Sequence, residues 1–148
     1  MSFRDVLLDV NVLIALIDFE HVAHEKAHLW FDTSGSQSWA TCPNVENGVI
    51  RILGNPKYPN SPGSPAGVLP TILAMRRLPG HVFWADDISI VDDELVHTEK
   101  LLTPSQVTDS YLLALAVKRE GKLATFDRRL SPAAVRGGKS ALHFVDDQ

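Results

Sequence analysis

The sequence has 148 residues, 45% of them hydrophobic and 22% charged, values typical of one globular domain with a buried core. Its single cysteine, Cys42, excludes an internal disulfide, and the early charges at Arg4, Asp5 and Asp9 exclude a signal-peptide core. The net charge of −4 argues against binding nucleic acid by bulk charge alone. No apolar run is long enough to span a membrane, so we expect a cytoplasmic protein with no membrane partner.

The apolar stretch at residues 6–16 contains one carboxylate, Asp9. Val6–Leu8 is predicted to be a short buried strand, because its apolar run is unbroken. From Val12 onward the apolar residues recur at helical spacing, and Asn11 is predicted to be the N-cap of that helix. Asp9 therefore lies at the carboxyl end of a strand, where α/β sheets bind ligands, although Asp9 alone could equally be a structural cap.

Strands and helices are predicted to alternate along the rest of the chain. From their apolar periodicity and turn residues, the predicted helices are 22–32, 43–53, 66–78, 104–120 and a short turn at 133–136. The predicted strands that follow the first are 38–41, 81–85, 88–91, 123–126 and 142–145. Thr103 is predicted to cap the helix 104–120, with Gln106 completing a capping box. This alternation favours an α/β fold with a central parallel sheet and helices on both faces.

Three histidines, His21, His24 and His28, share one face of the second predicted helix. Their spacing would also suit a metal site. We favour a partly buried surface instead, because the other candidate ligands of this chain are all oxygen atoms.

Four carboxylates lie where acids are uncommon. Asp9 and Asp127 each follow a predicted buried strand, while Glu46 and Asp109 lie on the apolar faces of predicted helices. Burying several carboxylates together is costly unless a raised pKa, a basic partner or a metal ion compensates. No Lys or Arg shares these apolar faces, so the pattern favours a hard divalent cation, Mg²⁺ or Mn²⁺, which prefers oxygen ligands.

Four segments around these acids resemble PIN-domain ribonucleases, and more narrowly the VapC-type toxins of bacterial toxin–antitoxin pairs. They are residues 8–13 (LDVNVL), 43–48 (PNVENG), 107–116 (VTDSYLLALA) and 123–129 (LATFDRR). The segments occur in the order and at the separations found in that family, and together they span nearly the whole chain. The resemblance implies a single PIN-like domain over residues 1–148, with a three-layer α/β/α fold around a central parallel sheet.

The resemblance also implies an active site and a reaction. The implied metal ligands, for Mg²⁺ or Mn²⁺, are Asp9, Glu46, Asp109 and Asp127. We expect Asp9 and Asp109 nearest the reacting centre, while Glu46 and Asp127 would bind a second ion or orient waters. The implied activity is that of an endoribonuclease toxin that cleaves RNA phosphodiesters with a metal-activated water.

Further residues are implied around this centre. In such families, residues at the positions of Asn11 and Thr125 help to hold the site. Short basic groups could hold the RNA backbone, and Arg128 with Arg129 lies nearest to the site in sequence. The other basic groups, each of which could be a solvated face, are Arg76 with Arg77, Lys118 with Arg119, and Arg136 with Lys139.

The implied partners are an RNA substrate, a cognate antitoxin protein and a second copy of the chain in a homodimer. Two alternatives remain at this point. One is a phosphatase of the haloacid-dehalogenase type with Asp9 as nucleophile, although Asn11 stands where such enzymes carry a second Asp. The other is a non-catalytic PIN-fold module that binds proteins, which the complete set of four acids argues against.

Overall fold

A computed structural model describes residues 5–145 of the chain. The strands are β1 (Val6–Leu8), β2 (Trp39–Thr41), β3 (His81–Phe83), β4 (Lys122–Thr125) and β5 (Leu142–Phe144). The helices are α1 (Val10–Ile17), α2 (His24–Thr33), α3 (Pro43–Leu53), α4 (Pro65–Arg76), α5 (Ser105–Lys118) and α6 (Gly138–Ala141). No helix within residues 5–145 is both long enough and apolar enough to cross a membrane.

The five strands form one sheet in the order β3-β2-β1-β4-β5, and every neighbouring pair is parallel. Helix α1 contacts both α2 and α3, and α3 contacts α4, whereas α5 and α6 contact each other and pack on β4. These two groups of helices are consistent with a three-layer α/β/α arrangement. The predicted α/β fold with a central parallel sheet is confirmed.

The three central strands, β2, β1 and β4, are short and mostly buried, which explains why their sequences are largely apolar. Among the largest fully buried side chains are Trp39, Leu7, Leu8, Leu13, Leu112, Leu113 and Leu123. Helix α3 approaches α1 closely, since a Cβ added at Gly48 would lie 2.9 Å from Val10 Cγ2. The core therefore fixes the carboxyl ends of the strands and the first turns of α1 and α3 relative to one another.

The predicted N-cap of α1 is wrong by two residues. The helix begins at Val10, and Asp9 is its N-cap, with extended backbone angles and a carboxylate that accepts a hydrogen bond from the Val10 N–H. Asn11 lies inside the first turn, so its side chain is available for contacts with a neighbouring strand. The interpretation of Asp9 as a helix cap is thus correct, and it does not exclude a second role.

Three other local predictions differ from the structure. Residues 88–91 form no strand, and residues 133–136 form turns and a bridge from Val135 to Val96 rather than a helical turn. Helix α5 has Pro104 rather than Thr103 as its N-cap. Gln106 still completes half of the predicted capping box, because its Oε1 accepts a hydrogen bond from the Thr103 N–H at 3.0 Å.

Candidate active site at the carboxyl edge of the sheet

Asp9 lies at the centre of the carboxyl edge of the sheet, between the end of β1 and the start of α1. Only 7% of its surface is exposed. Its Oδ1 accepts a hydrogen bond from the Val10 N–H and its Oδ2 accepts one from the Thr125 hydroxyl, each at 2.8 Å. Burial raises the pKa of Asp9, the charge of Asp127 raises it further, and the two hydrogen bonds oppose these effects. The result is a fixed carboxylate that is costly to ionise.

The Thr125 hydroxyl joins three parts of this edge. It donates a hydrogen bond to Asp9 and accepts hydrogen bonds from Asn11 Nδ2 and from the Asp127 N–H, both at 3.1 Å. Asn11 in turn accepts a hydrogen bond from the Phe126 N–H at 3.1 Å. A hydroxyl has one donor and two acceptor positions, so Thr125 uses all of them. The start of α1 is thereby tied to the end of β4.

Asp127 and Asp109 bring two more carboxylates to Asp9. Asp127 follows β4, and its Oδ1 accepts a hydrogen bond from the Arg129 N–H at 2.9 Å. Asp109 lies on α5, and burial together with the charges of Asp9 and Asp127 raises its pKa to about 6. Among the residues that the structure describes, no donor is found for the Asp109 carboxylate. We refer to Asp9, Asp109 and Asp127 as the acidic triad.

Glu46 lies in the first turn of α3, beside the end of β2. Its side chain is 12% exposed, and Oε2 accepts a hydrogen bond from the Thr41 hydroxyl at 2.7 Å and faces Arg76 Nε at 3.6 Å. The Thr41 hydroxyl also lies 2.8 Å from His81 Nε2. Burial and the charge of Arg76 lower the pKa of His81, against the opposing charge of Glu46.

The sequence pattern placed no Lys or Arg on the apolar faces of the acids, but the structure brings Arg76 to Glu46, and Arg129 Nε lies 3.7 Å from Asp127 Oδ1. Arg76 is distant in sequence and reaches Glu46 from the end of α4. Glu46 is also absent from the charges that raise the pKa of Asp9 and Asp109. The four predicted acids thus divide into the acidic triad, whose charges act on one another, and Glu46, which pairs with Arg76.

The acidic triad fits a divalent cation in its chemistry. Its donors are all carboxylate oxygens, the ligands that Mg²⁺ and Mn²⁺ prefer. Burial and repulsion from Asp9 and Asp127 raise the pKa of Asp109, and a bound cation would offset both by favouring the charged carboxylate. Across residues 5–145, however, no three His, Cys, Asp or Glu side chains are already grouped as a metal site would require.

The histidines of α2 and the preceding loop do not approach the acids. His24 Nδ1 lies 2.7 Å from the Ala15 carbonyl, and His28 Nε2 lies 3.1 Å from the Leu16 carbonyl. His21 Nδ1 accepts a hydrogen bond from the Ala23 N–H at 3.0 Å. His24 and His28 thus satisfy carbonyls in the last turns of α1, where a helix lacks internal partners. These contacts agree with the interpretation of the three histidines as a partly buried surface.

Sequence reasoning missed Thr41 and His81, and it named Arg76 only as part of a short basic group, not as a partner of Glu46. One signal was available, since β2 and β4 both end in the dipeptide Ala-Thr, at 40–41 and 124–125. In both strands the terminal Thr hydroxyl donates to a candidate site acid, Glu46 in one and Asp9 in the other. Arg76 gave no such signal, because the contact depends on how α4 packs.

Comparison with known proteins assigns the chain to a family. The PIN domain family model matches residues 6–135. Two ribonucleases of Mycobacterium tuberculosis are similar over most of their length: VapC44, 42% identical over 131 residues (88% of this chain and 92% of the relative), and VapC38, 41% identical over 139 residues (94% and 96%). The chain therefore belongs to the PIN-domain family. Within that family it is a VapC-type ribonuclease.

Proposed function

We propose that this protein is a metal-dependent endoribonuclease and the toxin of a toxin–antitoxin pair, with the acidic triad at its catalytic centre. The observation that carries the proposal is the group of Asp9, Asp109 and Asp127, in which burial and the two neighbouring charges raise the pKa of Asp109 to about 6. Such shifts are characteristic of functional carboxylates. The relatives are named ribonucleases, which supports RNA as the substrate.

Mg²⁺ or Mn²⁺ is the proposed cofactor, and Asp9, Asp109 and Asp127 would hold it. When bound, such an ion supplies Lewis acidity, which lowers the pKa of a coordinated water and neutralises charge on the phosphodiester. Asp9 is suited to be a ligand of fixed orientation, because hydrogen bonds from the Val10 N–H and the Thr125 hydroxyl orient both of its carboxylate oxygens. Asp109 lacks such donors within the described residues and can turn toward a ligand.

Glu46 takes a separate role in this proposal. Its hydrogen bond from Thr41 and its contact with Arg76 hold it at the β2 side of the edge, where it would orient water or contribute to a second ion. On the β4 side, Arg128 and Arg129 would contact the RNA backbone. Arg129 follows Asp127 closely, and its Nε lies 3.7 Å from Asp127 Oδ1.

The proposed partners follow from family membership. The VapC name of the relatives supports a cognate antitoxin, and we propose a homodimer and a cytoplasmic location on the same basis. Co-expression with the product of a neighbouring small gene, followed by size-exclusion chromatography, tests the first two proposals. A stable complex that suppresses RNA cleavage is the expected result.

An RNA cleavage assay tests the central proposal. Purified protein is expected to cut structured RNA with Mg²⁺ or Mn²⁺ and to stop in excess EDTA. RNA cleavage that persists in excess chelator would contradict the metal assignment. Hydrolysis of a phosphate monoester without RNA cleavage would favour the phosphatase alternative, and neither reaction would favour a binding module.

A further inference from the structure

An exposed arginine and an exposed aromatic ring lie together beside Glu46. The Arg76 guanidinium carbon is 4.6 Å from the centre of the Phe83 ring. Phe83 is 43% exposed, and the Arg76 side chain is 40% exposed. The same Arg76 has its Nε 3.6 Å from Glu46 Oε2. A cation and a ring therefore face solvent next to a candidate site acid.

The pair has a defined place on the carboxyl edge of the sheet. Phe83 is the last residue of β3, an edge strand, and its register partner on β2 is Thr41. Thr41 is the residue whose hydroxyl holds Glu46. The ring and guanidinium are thus one strand away from the side chain that fixes this acid.

A related pair lies at the other edge strand, one register position further along. Ala40 aligns with Leu7 and Leu7 with Leu123, so Thr125 projects from the opposite face of the sheet to Thr41. Phe144 is the last residue of β5, the other edge strand, and its register partner on β4 is Thr125. Thr125 is the residue whose hydroxyl holds Asp9. The Arg128 guanidinium carbon lies 4.8 Å from the centre of the Phe144 ring. Each edge strand therefore ends in a phenylalanine that stacks with an arginine, and the candidate site acids lie between.

We propose that Arg76 and Phe83 form a nucleotide-binding subsite for single-stranded RNA, and that Arg128 and Phe144 form its counterpart on the other side of the acids. The proposal rests on the proposed ribonuclease function. Unstacked bases bind aromatic rings and guanidinium planes, and the same guanidinium can donate to a phosphate. The RNA strand would then cross the carboxyl edge of the sheet from one pair to the other.

Charge and spacing favour a single strand. The two edge strands are four strand spacings apart, about 19 Å, so a strand held at both ends would pass over the acids. The net charge of −4 offers no bulk attraction for RNA, so specific contacts must supply it. The ion pair between Arg76 and Glu46 is partly exposed and 3.6 Å long. Such pairs contribute little to stability, so RNA binding to Arg76 would disrupt this one at little cost in free energy.

RNA binding without cleavage tests the subsite. Fluorescence anisotropy with a labelled single-stranded oligonucleotide would be measured in the Asp109→Asn background, which prevents turnover. Arg76→Gln and Arg128→Gln are each expected to weaken binding and to reduce the slope of log K against log salt by about 0.7, the loss of one phosphate contact. Arg77→Gln, the adjacent exposed arginine at the end of α4, is the matched control and should change neither.

The aromatic contribution has its own variant. Phe83→Leu keeps an apolar side chain and removes the stacking surface, so binding should weaken about tenfold with an unchanged salt slope. Phe19→Leu, at an exposed ring after the far end of α1, should have no effect.

Three results would overturn the subsite: equal binding by the Arg76→Gln and Arg77→Gln variants, equal binding of duplex and single-stranded probes, or no detectable binding by the parent protein. Loss of cleavage by Arg76→Gln with unchanged RNA binding would also overturn it, since Arg76 would then act only on Glu46. Failure of the ribonuclease proposal is seen separately, as absence of cleavage by the wild-type protein with Mg²⁺.

Discussion

The Thr125 hydroxyl is the residue-scale feature on which the site depends most. It holds Asp9, Asn11 and the backbone of Asp127 at once, and it is fully buried. Its removal would leave buried polar groups without partners, which costs more than an ordinary hydrogen bond contributes. The geometry of Asp9 is therefore set by a residue that need not touch the substrate.

Thr125→Val tests this role. We expect it to lower the free energy of unfolding by about 2 kcal/mol, because one donor and two acceptors are lost from a buried position. Thr125→Ser, which keeps the hydroxyl, should recover most of that stability. Urea denaturation measures both, with Thr71→Val at an exposed position of α4 as the control. Similar losses for the Val and Ser variants would mean that packing, not hydrogen bonding, makes Thr125 important.

Asp109→Asn should separate activity from stability. RNA cleavage is expected to fall by orders of magnitude, because a ligand charge is lost. Without metal, the variant should be more stable than wild type by about 1 kcal/mol, after allowing for solvent screening, since it removes a partly buried charge and its repulsion from Asp9 and Asp127. Asp32→Asn, at an exposed position of α2, is the control for both measurements. Destabilisation by Asp109→Asn would show that its carboxylate has a structural partner.

The raised pKa of Asp109 also predicts a pH dependence. Between its ordinary value of 3.8 and about 6, the folded protein binds more protons than the unfolded chain does. The stability of the metal-free protein should therefore fall as pH rises through this window, and the raised pKa of Asp9 acts in the same direction. Thermal melts between pH 4 and 7 in EDTA check the slope. Asp109→Asn should flatten it, and an unchanged slope would assign the effect to other groups.

At the scale of elements, α2 supports the end of α1 through histidine contacts. His24 and His28 lie against the Ala15 and Leu16 carbonyls, and α1 begins at Asp9. A helix that carries a candidate ligand at its start is thus held at its finish by a neighbouring helix. His24 and His28 thus support the end of α1, whereas His21 accepts a hydrogen bond from the Ala23 N–H.

Joint replacement of His21, His24 and His28 by Gln tests that division of roles. The free energy of unfolding should fall by about 1–2 kcal/mol, because two contacts to helix carbonyls are changed. Metal-dependent RNA cleavage by the folded variant should remain close to that of wild type. A variant that folds normally but no longer responds to Mg²⁺ would place the histidines in the metal site.

The elements were predictable where local pattern determines them. Helix α3 has the bounds expected from Pro43, its apolar spacing and the following Gly54, and β1 has the bounds of its apolar run. The stretch 88–91 is apolar enough for a strand but forms none, because its place depends on tertiary contacts. The N-cap of α1 was misplaced because both Asp9 and Asn11 are good caps, and only the contact of Asn11 with Thr125 distinguishes them.

The site was predictable in its acids and not in their partners. Asp9, Glu46, Asp109 and Asp127 could be chosen because strand ends and apolar helix faces are visible in the sequence. The contacts that separate Glu46 from the acidic triad are long-range, since Arg76 reaches Glu46 only through the packing of α4. Pairings of this kind depend on how distant elements pack, which local patterns do not specify.

At the scale of the whole molecule, one parallel sheet carries the candidate acids on one edge, with an arginine and a phenylalanine at each end of that edge. The prediction of a single domain over residues 1–148 requires one cooperative unfolding transition. Far-UV circular dichroism and tryptophan fluorescence should report the same midpoint in urea. Two separated transitions would mean that part of the chain folds independently.

Metal binding by the acidic triad is the central claim, and direct titration with Mn²⁺ tests it most closely. Electron paramagnetic resonance measures free Mn²⁺ without requiring RNA or activity. We predict that the wild type and Asp32→Asn bind with equal affinity and that Asp109→Asn binds at least about tenfold more weakly. Equal Mn²⁺ affinity of wild type and Asp109→Asn would contradict the account, because Asp109 would then not be a ligand.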